Sequence, residues 1–319
     1  MKKFFSILLI VVAVIAVLGT NSLAQQKFLA IATGGTGGTY YPLGGALAQL
    51  ISEKVPGLVA TAQTSGASVA NCNLIGNHEI ETAFSQANTT YWCYAATGLQ
   101  EGKEPITNLR GIASIYPETI HIVATKASGV KTIADLKGKR VGVGAPNSGT
   151  EADARIILNA HGLTYDEMSI DYIDFNEVAD RLIDGQIDAG FTTAGYPTSS
   201  IINIATTRDL VLVPVDPVVA QKLVDDIPYY GITEIPAGMY RGVDEPVLSL
   251  ATPALWVCDS KLDPTLVYKM TKALWENNDI LAEVHAQGKN IKLETALNGM
   301  AVPLHPGAEL YYKEIGAIE

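Results

Sequence analysis

The chain has 319 residues, 48% hydrophobic and 17% charged, which is enough apolar side chain to bury the core of a two-domain globular protein and excludes a disordered one. Thirty-three acidic residues against 22 basic ones give a formal net charge of −11. That balance excludes nucleic acid and anionic membrane surfaces as partners, because both demand a positive face.

The first element in chain order is a candidate export signal. Lys2 and Lys3 precede an apolar stretch from Phe4 to Leu18, and Ser22-Leu23-Ala24 follows with the small residues that signal peptidase requires. The apolar run is shorter than the ~20 residues of a membrane span, and no cysteine stands at the cleavage point to carry a lipid. Residues 1–24 are read as a cleaved signal peptide and the mature chain, from about Gln25, as a periplasmic protein. Losing Lys2 and Lys3, the charged residues of that segment, makes the mature chain more acidic still.

Short β-rich runs then alternate with segments of helical period, the pattern of an α/β protein with mainly parallel strands. "KFLAIAT" reads as a buried strand, and "GGTGGTYYP" (34–42) as a glycine-rich loop leading to a helix with Pro42 in its first position. Leu43, Leu47, Leu50 and Ile51 share one face of that helix and belong to the core. "LVATAQ" leads into "TSGAS" and a helix from Val69 to Ile75. "ETAFSQ" leads into "ANTTYWCYA", and "RVGVGAP" into "NSGTEADARIILNAHG", where Thr150 and Asp153 have the spacing of a capping box. "IDAGFTT" leads into "AGYPTSSIINI". Five strands thus end in loops rich in Gly, Ser, Thr, Asn and Tyr. Lys137-Gly138-Lys139-Arg140 is a solvated approach to one of these strands.

Ligands of doubly wound sheets bind beyond the carboxyl ends of strands, and five such loops exceed what one sheet's crevice needs. The expectation is two lobes with a cleft between two mostly parallel sheets. The first three loops belong to one lobe and the last two to the other. "GIASIYPETIHIVATK" and "VLSLATPALWVCD" are extended, apolar and far apart in sequence, and are read as the two crossings. On this basis lobe I comprises 25–118 and 255–319, and lobe II comprises 119–254.

Much catalytic chemistry is missing. The glycine-rich loop contains no lysine and is no P-loop. Gly35-x-Gly37 is followed by Tyr40 where a dinucleotide fingerprint needs its third glycine. His78, His121, His161, His285 and His305 show no metal-binding interval, and no G-x-S-x-G elbow exists. Asp184 and Asp188 sit in a turn and at a strand start. Cys72, Cys93 and Cys258 lack metal spacing, and whether Cys72 pairs with Cys93 is open. No cofactor, no metal and no enzymatic activity are expected.

Lys and Arg are absent from all five loops, so an anion there is held by backbone N–H groups, hydroxyls and helix dipoles. The candidate ligand-binding residues are Thr36, Gly37, Tyr40 and Tyr41 in the first loop, Ser65, Gly66, Ala67 and Ser68 in the second, and Gln86, Asn88 and Tyr91 in the third. Ser148, Gly149 and Thr150 follow, then Thr193, Ala194 and Gly195. The tyrosines are read as packing either a ligand's carbon chain or a helix start. Ser148 and Thr150 are read as capping, binding or both.

The loops "IATGGTGGTYYPLGGALA", "TSGASVANCNLI", "YPETIHIVATKASGVKTIADLKGKRVGVGAPNSGT", "LIDGQIDAGFTTAGYP", "IPAGMY", "VYKMTKALWEN" and "PLHPGAELYY" resemble those of the TAXI family, the solute-binding receptors of one branch of the tripartite ATP-independent periplasmic (TRAP) transporters. The resemblance runs over essentially the whole mature chain. It implies a type II periplasmic-binding-protein fold, a monomeric receptor, membrane transporter subunits as partners, and a small anionic organic ligand such as glutamate or 2-oxoglutarate. One departure stands out: after "FSQ" the family often has serine and aspartate, whereas this chain has Ala87 and Asn88. The exchange removes a negative charge near the expected cleft, so a mono-carboxylic acid is the alternative ligand. A periplasmic enzyme on the same fold and a sensor-associated binding subunit are the rival functions.

Overall fold

The computed structural model describes residues 26–319, so the signal-peptide reading lies outside the described residues. Among those residues no helix is long and apolar enough to cross a membrane.

The chain runs β1 (Lys27–Ala32), α1 (Tyr40–Lys54), β2 (Leu58–Gln63), α2 (Ser68–Gly76), β3 (Thr82–Gln86) and α3 (Ala87–Ala95) before the long strand β4 (Leu109–Thr125). Then follow β5 (Arg140–Gly142), α4 (Gly149–Ala160), β6 (Ser169–Asp171), α5 (Phe175–Ile183), β7 (Ala189–Ala194), α6 (Ser199–Thr207), β8 (Leu210–Leu212), α7 (Pro217–Asp226) and β9 (Gly231–Ile235). A second long strand, β10 (Val247–Asp259), leads to α8 (Pro264–Glu276), α9 (Asp279–Val284) and α10 (Pro306–Glu314).

The strand order is β2-β1-β3-β10-β4-β7-β5-β6, with β8 on β4 and β9 on β10. Parallel pairs occupy both ends, from Lys27↔Leu58 to Ala32↔Gln63 on one side and from Arg140↔Ser169 to Gly142↔Asp171 on the other. The pairs made by β4 and β10 are antiparallel. The sheets of the two lobes are therefore joined into one ladder by the crossing strands.

Apolar packing divides at the crossings. One core joins Leu29, Leu43, Leu47, Leu50, Ile51 and Phe84 to Ile112, Tyr116, Trp256, Leu274 and Tyr312. Another joins Ile120, Ile122, Val141, Ile157, Leu158 and Phe191 to Leu223 and Leu250. The switch from one core to the other falls between Tyr116 and Ile120 on β4 and between Leu250 and Ala254 on β10. Truncating a fully buried leucine such as Leu43 to alanine costs roughly 2–5 kcal/mol. This is the α/β two-lobe periplasmic-binding-protein fold, and its connectivity brings the carboxyl ends of β1, β2, β3, β5 and β7 to one cleft.

Two local expectations are corrected. The helix after the glycine-rich loop begins at Tyr40, two residues before Pro42; proline is tolerated throughout a first turn, whose N–H groups lack intrahelical partners. No capping box forms from Thr150 and Asp153. Ser148 caps α4 by accepting from Glu151 N, which leaves Thr150 Oγ to accept from Thr193 N at 3.3 Å and Asp153 free to serve elsewhere. Cys72, Cys93 and Cys258 are buried free thiols.

Candidate functional site

A cavity of about 180 Å³ lies where these strand ends meet. At ~30 Å³ per water it has the capacity of roughly six waters, which suits a small metabolite. The opening residues of four helices line it: Tyr40 of α1, Ser68 of α2, Gly149 and Thr150 of α4, and Phe175 of α5. First-turn N–H groups lack intrahelical partners and sit at the positive end of the helix dipole. Some are already spoken for. Glu151 N donates to Ser148 Oγ, Glu177 N donates to Asp174 Oδ1, and Val69 N and Ala70 N both donate to Asn147 O at 3.1 Å. Among the described residues, neither lysine nor arginine lines the cavity.

Of the residues expected from sequence, Tyr40, Ser65, Gly66, Ala67, Ser68 and Gln86 line the cavity from one lobe. Ser148, Gly149, Thr150, Thr193 and Ala194 line it from the other. Tyr40 packs edge-on against Phe84 with ring centroids 5.5 Å apart, and its hydroxyl donates to Glu118. A Cβ at Gly149 would lie 1.4 Å from Gln86 Oε1, so a side chain there would have to displace that amide from its bond to Asp153.

All but Tyr41 of the other expected residues form the seam between the lobes rather than the cavity wall. Thr36 Oγ accepts from Asn176 Nδ2 at 3.0 Å, and Gly37 O accepts from Ser199 Oγ at 3.1 Å. Gly195 O accepts from Thr39 Oγ at 2.9 Å. Tyr91 meets Tyr229 across the seam with ring centroids 5.5 Å apart. Asn88 is fully buried and donates through Nδ2 to Asp153 Oδ1 at 3.2 Å. Tyr41 is 38% exposed and lies outside the cavity. These residues satisfied the sequence pattern because loop composition does not separate a wall from a rim.

Sequence reasoning missed Glu118, Asp174 and Phe175, all of which line the cavity. Glu118 lies on β4 at the crossing and is 2% exposed. Tyr40 Oη donates to its Oε2 at 3.1 Å and Tyr116 Oη to its Oε1 at 3.3 Å. Burial pushes its carboxyl well above the usual carboxylate range, and the nearby Asp153 adds to the shift. The available signal was a single acid inside the apolar run "SIYPETIHI", since an unpaired acid in such a run is seldom accidental.

Asp153 is likewise buried and its carboxyl is raised, first by burial. Its neighbourhood changes the meaning of Ala87 and Asn88. Asn88 carries no charge, and a carboxylate on the opposite lobe faces it. Nearby, His121 is fully buried between Thr119 O at 3.0 Å and Thr192 O at 3.2 Å on its Nδ1 and Tyr240 Oη at 3.2 Å on its Nε2. Burial lowers it to about 4, so it is neutral at pH 7. Among the described residues no cluster of three or more His, Cys, Asp or Glu is placed to hold a metal ion.

The sequence pattern of the NMT1-like family matches residues 31–316. Among solved structures, a protein from Bordetella bronchiseptica RB50 is 16% identical, with a TM-score of 0.55, over 92% of this chain and 90% of its own. XAC2383 from Xanthomonas citri, bound to ATP, is 10% identical with a TM-score of 0.50 over 91% of this chain and 96% of its own. The alkanesulfonate-binding protein SsuA from Xanthomonas axonopodis pv. citri, bound to MOPS, is 15% identical with a TM-score of 0.47 over 86% and 84%.

Proposed function

The chain belongs to the NMT1-like family, and from that footing we propose that it is an extracytoplasmic solute-binding receptor that captures a small organic acid and presents it to a membrane transporter. The observation that carries this reading is the convergence of helix starts from both lobes on one small cavity lined by no cation. A carboxylate fits such a place because charge-assisted bonds to N–H and hydroxyl groups replace its water without a counter-ion.

The finer reading rests on the sequence resemblance. The transporter is of the TRAP type, and the ligand is glutamate or a 2-oxoglutarate-like carboxylate. Glu118 supports the amino acid of the two, since a ligand ammonium placed beside it would pair with the ionised form that burial alone disfavours. Titration calorimetry over acids, amino acids, sugars and amines tests the proposal. Carboxylates are expected to bind while sugars and amines fail; tight binding of a neutral sugar or simple amine with failure of every carboxylate would overturn it.

A further inference from the structure

Asp153 lies inside α4 with no exposed surface, and its carboxylate accepts from both lobes. Oδ2 accepts from Gln86 Nε2 at 2.9 Å and from Thr193 Oγ at 2.8 Å. Oδ1 accepts from Tyr230 Oη at 2.6 Å and from Asn88 Nδ2 at 3.2 Å. Gln86 and Asn88 come from the lobe built on β1 to β3, Thr193 and Tyr230 from the lobe that carries α4. Gln86 and Thr193 also line the cavity, whereas Asp153 does not.

We propose that Asp153 is a positioning residue that couples closure to binding, holding Gln86 of one lobe and Thr193 of the other against the same cavity so that the binding face is assembled only when the lobes meet. The inference rests on reading that cavity as a ligand site between closing lobes. With the lobes apart, Asp153 keeps Thr193 and Tyr230, while the amides of Gln86 and Asn88 turn to water. Closing exchanges that water for two charge-assisted bonds in a dry interior, where such bonds are strongest.

Asn88 is matched to this role. Its Nδ2 donates to Asp153 while its Oδ1 accepts from Thr89 N at 2.8 Å. An aspartate in its place would keep the second bond but set a carboxylate against a carboxylate. Exchanging the two residues restores the complement. The amide then placed in α4 would accept through its oxygen from Gln86 and Thr193 and donate through its nitrogen to the carboxylate then placed in α3, to which Tyr230 would also turn its hydroxyl.

The test compares wild type, Asp153→Asn, Asn88→Asp and the double exchange. Each carries a dye pair on Phe28→Cys and Val218→Cys, both strongly exposed positions, whereas the native thiols are buried. Single-molecule energy transfer reads the closed fraction without ligand and with L-glutamate or 2-oxoglutarate, and circular dichroism checks the fold. Each single change is expected to shift the closed-to-open ratio about tenfold toward open, the loss of roughly one charge-assisted bond. The exchange is expected to recover most of that shift.

Unchanged ratios in the single variants, or a double variant as open as the two changes combined, overturn the proposal. A wild type that closes without ligand but responds to neither acid refutes the ligand class and leaves the four ligand-free ratios to judge Asp153. A wild type that never closes refutes the role of Asp153 itself.

Discussion

Burial, with Asp153 nearby, raises the Glu118 carboxyl in spite of the two tyrosine hydroxyls that donate to it, so the protein holds its protonated form more firmly than the unfolded chain does. The unfolded reference lies near 4.5 and the folded value well above it. The folded state therefore holds a proton that the unfolded chain releases, and the stabilisation is complete below about pH 4.5 and lost as pH rises through the folded value. Glutamine has no such proton. Denaturant midpoints of wild type and Glu118→Gln, compared near pH 4.5 and near pH 8, are expected to move in the variant's favour at the higher pH; parallel pH dependences would contradict this account. The same variant separates the ligand classes. If an ammonium group sits at Glu118, L-glutamate should weaken roughly ten- to a hundredfold, the worth of one charge-assisted bond, while 2-oxoglutarate changes little. Gly149→Ala should abolish calorimetric binding of either acid at full folded content, because its Cβ has no room beside Gln86 in the closed site. Binding at wild-type strength would mean that Gln86 can step aside.

The helix starts bring these residues together, and each is held by its own local chemistry. Ser148 caps α4, and removing such a cap costs about 1 kcal/mol; Ser148→Ala should lower the unfolding free energy by about that amount and weaken acid binding with it. A loss of stability without loss of binding would confine Ser148 to capping. Ahead of α2, Ala67 holds φ 65° and ψ −148°, a region that favours glycine and costs a side chain on the order of 1–3 kcal/mol. Ala67→Gly should therefore raise the midpoint of thermal unfolding, and an unchanged or lowered midpoint would argue against strain there. These arrangements were unequally readable from sequence. "LVATAQ" and "VLSLATPALWVCD" coincide with β2 and β10 because strand period and flanking turn residues are local signals. Most of the cavity residues were found because small polar residues at strand ends mark helix starts. Glu118 was missed because its place in the cavity depends on where β4 crosses β10, and Asp153 looked like half of a capping box because its four donors come from distant segments. Whether a side chain faces a cavity or a seam is decided by tertiary packing, which spacing does not encode.

For lobes that close as proposed, the crossing strands are the place to bend. At the point where the packing passes from one core to the other, Pro117 pairs with Pro253, and register shifts follow between Ala254 and Leu255 and between Trp256 and Val257. Proline contributes no N–H to a ladder, and irregular pairing increases local bending. The ladder is therefore weakest where Glu118 meets Thr252 and the cores separate. Against that compliant strip stand the bonds of the seam: Thr39 to Gly195, Ser199 to Gly37, Asn176 to Thr36, and the amides of Gln86 and Asn88 to Asp153. Most are single neutral bonds, each worth only about 0.5–1.5 kcal/mol net, and all are formed in the structure described. A ligand that fills the cavity adds differential affinity for this closed arrangement, and that difference is what shifts the population. Small-angle scattering should therefore give a larger radius of gyration for the ligand-free protein than for the protein saturated with a bound acid, and the saturated profile should match the closed structure. A profile that stays the same at calorimetrically proven saturation would show that binding does not draw the lobes together, and would remove the hinge at Pro117 and Pro253 from the account.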